Sequence, residues 1–156
     1  DLPGTATTTS QVHCHSWDLL SYVLYGQMHN EISTVHDTAT GDATRRVFEV
    51  VSSGDTDEIR PTARTVRHTA VATETHTAGA TYTLPAGIFH RSVVPPGQAT
   101  ATLALGRTRP GASDLSLGPL TGAAAHRVTR ERFDAAETVR AARVAAGHLG
   151  RAGTPG

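Results

Sequence analysis

The sequence predicts an all-β fold, a small sandwich or barrel, followed by a C-terminal α-helix. Two observations carry this expectation. Through residues 1–118, runs of about four to eight β-branched and aromatic residues alternate with Gly- and Pro-containing turns, the pattern of short antiparallel strands. After Gly118-Pro119 the chain becomes Ala- and Arg-rich, the pattern of a helix. The expected division is therefore a β-domain over 1–118 and a helical extension over 119–156 packed on it.

The elements follow in order. Residues 1–10 read as a loop or a frayed first strand. Strands follow from Gln11 to His36, with Tyr22-Val23-Leu24-Tyr25 before Gly26 and Glu31-Ile32-Ser33-Thr34-Val35 after it. Gly41-Asp42 signals a turn, Arg45–Val51 a strand, and Ser53-Gly54-Asp55 another turn. Thr62–His76 reads as one long strand or two short ones. Thr81–Leu84 and Ile88–His90 flank the turn Pro85-Ala86-Gly87, and Pro95-Pro96-Gly97 precedes a strand over Thr100–Leu105. In the last segment Phe133, Ala136, Val139, Ala142 and Val144 suggest a helix. Thr129 is its expected N-cap, Glu131 favours its positive end, and Gly147 is expected to end it.

Composition excludes several functions. The chain has 14 basic residues, all Arg, balanced by 14 acidic ones, for a net charge of zero. No basic excess is available for a nucleic-acid surface, and without Lys there is no Schiff-base or P-loop lysine. The single cysteine, Cys14, excludes an internal disulfide and a multi-Cys metal cluster. No apolar run is long enough for a membrane-spanning helix, and Asp1-Leu2-Pro3-Gly4 opens no signal peptide. A cytoplasmic protein with no membrane partner is the expectation. Nine His are the residue class left to carry chemistry.

Two His-bearing segments stand out. His13-Cys14-His15 places two imidazoles on one face of a strand and Cys14 on the other. The segment Gly79-Ala80-Thr81-Tyr82-Thr83-Leu84-Pro85-Ala86-Gly87-Ile88-Phe89-His90 is a hairpin whose turn delivers His90 to the next strand. Together they resemble the two motifs of the cupin superfamily over residues 11 to 110. Gly79, Pro85, Gly87 and His90 match the second motif in register, and His13, His15 and Gly26 match the first. Leu19 stands where that motif has a glutamate, Val94 where the second has its final Asn, and Asp18 is one residue off register.

The resemblance implies a cupin-type β-barrel or jelly roll with His13, His15 and His90 as ligands of one divalent metal. Fe(II) is favoured; Zn, Ni, Mn and Cu stay open. It further implies an Fe(II)-type dioxygenase acting on a small organic, carboxylate-bearing metabolite, and a homodimer. The alternatives are a non-catalytic cupin that binds a small ligand or metal, and a metal-dependent isomerase or hydrolase. The strand after the third ligand, Thr100 to Arg107, lacks the His and Tyr that thiol dioxygenases carry there. Trp17, Tyr22, Phe89 and Arg46 are candidates for the substrate pocket, with core packing or plain surface exposure as the alternative for each. Tyr82, His76 and His29 are candidates for acid–base work, against ordinary satisfied or exposed side chains. His36, His68, His126 and His148 have no spacing argument.

Overall fold

A computed structural model describes residues 11–38, 41–121 and 124–152. They form ten strands and one helix. The strands are β1 (His13–Cys14), β2 (Trp17–Tyr25), β3 (Gln27–Asp37), β4 (Arg45–Ser53), β5 (Thr56–Thr77), β6 (Thr81–Leu84), β7 (His90–Val93), β8 (Ala101–Thr108), β9 (Leu115–Gly118) and β10 (His126–Thr129). The helix is α1 (Ala135–Ala152). The expected first element, residues 1–10, lies outside the described residues.

A seven-stranded sheet runs in the order β10-β5-β3-β7-β1-β9-β4, and a three-stranded sheet in the order β6-β2-β8. All the pairings are antiparallel. The segment left open between one and two strands is one strand of 22 residues, β5. Its second half pairs with β3 and its first half with β4. The two pairings meet at Val66, which is opposite both Asp37 and Arg45. One long strand thereby joins both ends of the large sheet and bends it back on itself.

The tight turns fall at glycines with positive φ. Gly54, at φ 62°, turns β4 into β5, and Gly87, at φ 80°, closes the Pro85 turn. Gly26 joins β2 to β3 at φ 80°. A Cβ there would collide with the Ala99 carbonyl and Thr100, so only glycine fits the corner.

Strand alternation sorts the side chains of the large sheet onto two faces. Cys14, Val47, Val66, Phe89 and Leu117 form one apolar cluster. Met28 and Ile32 face the other way and pack with Leu19, Val23, Tyr82 and Leu84 of the small sheet. This second cluster is the core between the sheets. The outer face of the small sheet exposes Leu20, Tyr22, Leu103 and Leu105.

The C-terminal segment differs from its expected form. Residues 126–129 are a strand, with Thr129 opposite Thr56 of β5, so the large sheet extends beyond residue 118. Thr129 therefore ends a strand and does not cap the helix. The cap is Asp134: its Oδ1 accepts the Glu137 N–H at 2.8 Å, and Glu137 Oε2 accepts the Asp134 N–H at 2.9 Å. This reciprocal pair satisfies two otherwise orphaned donors. Gly147 lies inside α1, because it does not adopt the positive φ that ends a helix. His148 stacks on Tyr25 at 4.3 Å, while most other α1 side chains are exposed. No helix among the described residues is long and apolar enough to cross a membrane.

Candidate metal centre

The register brings the three predicted histidines together. His13 of β1 is directly opposite His90 of β7, and His90 is in turn opposite Ile32 of β3. His15 follows two residues after His13, on the same face. The ring centroids lie 4.6 Å (His13–His90), 4.8 Å (His13–His15) and 5.2 Å (His15–His90) apart. One donor nitrogen from each ring lies within 4.8 Å of the others. Their face is that of Ile32, so the triad sits at the margin of the core between the sheets. Trp17, at the start of β2, stacks on His15 at 4.3 Å.

Two of the rings have their free nitrogen chosen by the backbone. His13 Nδ1 lies 2.8 Å from the Gln11 carbonyl, and His90 Nδ1 lies 3.2 Å from the Ile88 carbonyl. A carbonyl can only accept, so Nδ1 carries a proton in both rings, and the neutral ring has its lone pair on Nε2. This is the usual outer-partner arrangement of ligating histidines. Burial pushes the His90 pKa down. His15 is lowered to about 4, first by burial and then by its two histidine neighbours. Both rings are thus neutral at pH 7, the form that ligates a metal.

The donor set fits a divalent ion. Imidazole suits Fe, Zn, Cu and Ni. Metal–nitrogen bonds of about 2.1 Å require donors about 3 to 3.5 Å apart, so holding a shared ion would require the rings to close from their present separation of up to 4.8 Å. Cys14 takes no part: it is buried in the opposite cluster, and burial raises its thiol pKa.

A cavity of about 420 Å³ opens beside the triad, lined by His13, His15, Trp17 and Ser116, and by Val50, Ser52, Asp57, Asp114 and Arg130 among others. Asp114 Oδ1 accepts the Ser16 N–H at 2.6 Å, tying the β8–β9 loop to the bend between His15 and Trp17. Asp57 accepts the Ser52 hydroxyl at 2.6 Å and faces Arg130 Nε at 3.5 Å. Nothing in the sequence marks Ser52, Asp57, Asp114 and Arg130 as cavity residues. They lie in three separate stretches with no motif spacing, and only the tertiary register joins the β4–β5 hairpin to Asp114 and Arg130. The one usable signal was the turn after β4, which brings Ser52 and Asp57 opposite each other.

The remaining candidates occupy other places. Trp17 alone of the four pocket candidates lines this cavity. Tyr22 is exposed on the outer face of the small sheet. Phe89 alternates with His90 and is buried in the cluster on the other side of the large sheet. Arg46 is half-buried on β4 opposite Gly118; by alternation it shares a face with Ser116 and His13, but it does not line the cavity. Tyr82 is a core residue whose hydroxyl reaches Met28 Sδ at 3.1 Å and whose ring stacks on His76 at 4.1 Å. His29 alternates with the buried Met28 and Asn30 and bonds the Thr75 hydroxyl at 2.9 Å. None of Tyr82, His76 and His29 belongs to the triad. Asp18 is held by the Ala86 N–H, Arg107 and Arg109, which hold its carboxyl below the usual range, the Ala86 bond most of all.

No family model, curated protein or solved structure matches the chain.

Proposed function

We propose that this protein is a metal-dependent cupin, a jelly-roll barrel with one divalent ion at His13, His15 and His90, acting on a small organic metabolite. One observation carries the reading. Three imidazoles from two distant segments converge within 4.8 Å, two of them with Nδ1 tied to a backbone carbonyl. An outer partner on Nδ1 is the arrangement that orients ligating histidines.

Of the activities open to a three-His centre, an Fe(II)-type dioxygenase is the one proposed. Bound Fe(II) would supply the redox chemistry, with dioxygen as the oxidant. The chain's own contribution is recognition and exclusion. His13 and His90 hold a fixed tautomer, Trp17 walls one side of the cavity, and Asp114 ties its loop to the bend beside His15. Non-catalytic binding of a small ligand or metal is the second reading. It is favoured by the placement of the acid–base candidates, Tyr82 and His76 stacked on each other and His29 bonded to Thr75. A homodimer in the cytoplasm completes the proposal.

Metal analysis of protein purified without chelator tests the centre, and oxygen uptake on a panel of small organic acids tests the activity. One equivalent of iron with substrate-dependent uptake supports the dioxygenase. Stoichiometric metal without turnover supports the binding protein. No metal, and no binding of added Fe(II), refutes the dioxygenase and the metal-binding reading alike. Light scattering reports whether the mass is twice the 16.3 kDa of one chain.

A further inference from the structure

We infer that the cavity beside the three histidines takes a small zwitterion, with an ammonium and a carboxylate on one short skeleton. This deepens the reading of the triad as a ligand-binding centre and rests on it. The cavity, about 420 Å³, is within the range of small-molecule sites, about 300–1,000 Å³. Its walls carry three charged side chains, Asp57, Asp114 and Arg130. Asp57 is already met by Arg130 and by the Ser52 hydroxyl. Asp114 has the backbone N–H of Ser16 on Oδ1 and no ion pair among the described residues, so its charge is open to a cation. Arg130 directs one amino group to the Gly54 carbonyl at 2.9 Å. A guanidinium has five N–H donors, so some remain for an anion.

An ammonium is the group that Asp114 recognises and a carboxylate the group that Arg130 recognises. A simple carboxylic acid leaves Asp114 unpaired inside a partly desolvated cavity, and a simple amine leaves the spare Arg130 donors unused. Both omissions weaken binding relative to a molecule that meets the two together. Trp17 and Val50 supply apolar wall for the short skeleton between the charges.

The test is an NMR titration of the His15 and Trp17 ring signals at pH 7 with β-alanine, propionate and propylamine, on EDTA-treated and on Zn(II)-loaded protein. β-Alanine is expected to bind about tenfold or more tightly than either single-charge probe, in both preparations. Asp114→Asn keeps the acceptor for Ser16 and removes the charge, so it abolishes the preference for β-alanine over propionate, weakening the first and relieving the repulsion of the second. Arg130→Gln weakens β-alanine and propionate together. Equal affinities for β-alanine and propionate, or either variant leaving β-alanine binding unchanged, overturns the inference. Failure of Zn(II) to bind, read by metal content, overturns the metal reading alone, because the EDTA-treated arm reports zwitterion selectivity independently.

Discussion

Acid should destabilise the metal-free protein through His15, by an amount that the structure bounds. Its pKa falls from 6.5 to about 4 on folding, chiefly because burial disfavours the charged ring. Between those values the unfolded chain holds more protons than the folded one, so stability rises with pH across the window. The contribution is fully present above pH 6.5 and is lost as the pH falls to 4. The shift corresponds to about 3 kcal/mol at most. The ring is only half-buried, and solvent screening reduces this to about 1–2 kcal/mol. Urea denaturation in EDTA at pH 7, 6, 5 and 4 measures it, with His15→Gln as the non-titrating reference. The wild type should lose about 1–2 kcal/mol more than the variant over that range. Parallel pH profiles for the two proteins would refute the reasoning, because they would show that the environment of His15 does not resist protonation.

Other perturbations separate the site from its scaffold. His90→Ala should weaken Zn(II) or Fe(II) binding by more than the 10–100-fold expected for loss of an outer partner, read by competition with a chromophoric chelator. Gly118→Ala should destabilise the fold by about 1–3 kcal/mol, since the new methyl group meets the buried Phe48 ring; a change within experimental error in thermal unfolding contradicts this. Asp134→Ala removes the N-cap of α1 and should cost the helix about 1 kcal/mol, visible as lost helical circular dichroism with metal affinity unchanged.

Much of the candidate site is legible in sequence because it depends on strand alternation and turn chemistry, both local. His13-x-His15 states its own geometry, and Pro85-Ala86-Gly87 fixes where His90 emerges. The same alternation, applied further, also places Phe89 behind His90 and turns Tyr22 away from Ser21 and Val23. Their aromatic character, suggestive of a pocket, is overridden by the period of the strand. Asp114 and Arg130 follow from no local rule. Arg130 reaches the cavity because residues 126–129 pair with the start of β5, and a run of four residues with one apolar side chain, His126-Arg127-Val128-Thr129, is too short to declare a strand. The helix start is ambiguous in the sequence for a related reason: Thr129 and Asp134 are both acceptable caps, and only the pairing of β10 removes the first from contention.

The 22-residue β5 also has a consequence in time. Its first half folds back on β4 across a two-residue turn at Gly54-Asp55, so that hairpin closes with little loss of chain entropy. β1 finds β7 and β9 only after bridging most of the sequence, His13 meeting His90 and Ser116. Contacts of such long range form late. The hairpins of a newly made chain should therefore close before its histidine triad, and any divalent ion held there would meet a complete set of ligands only once the rest of the sheet is in place.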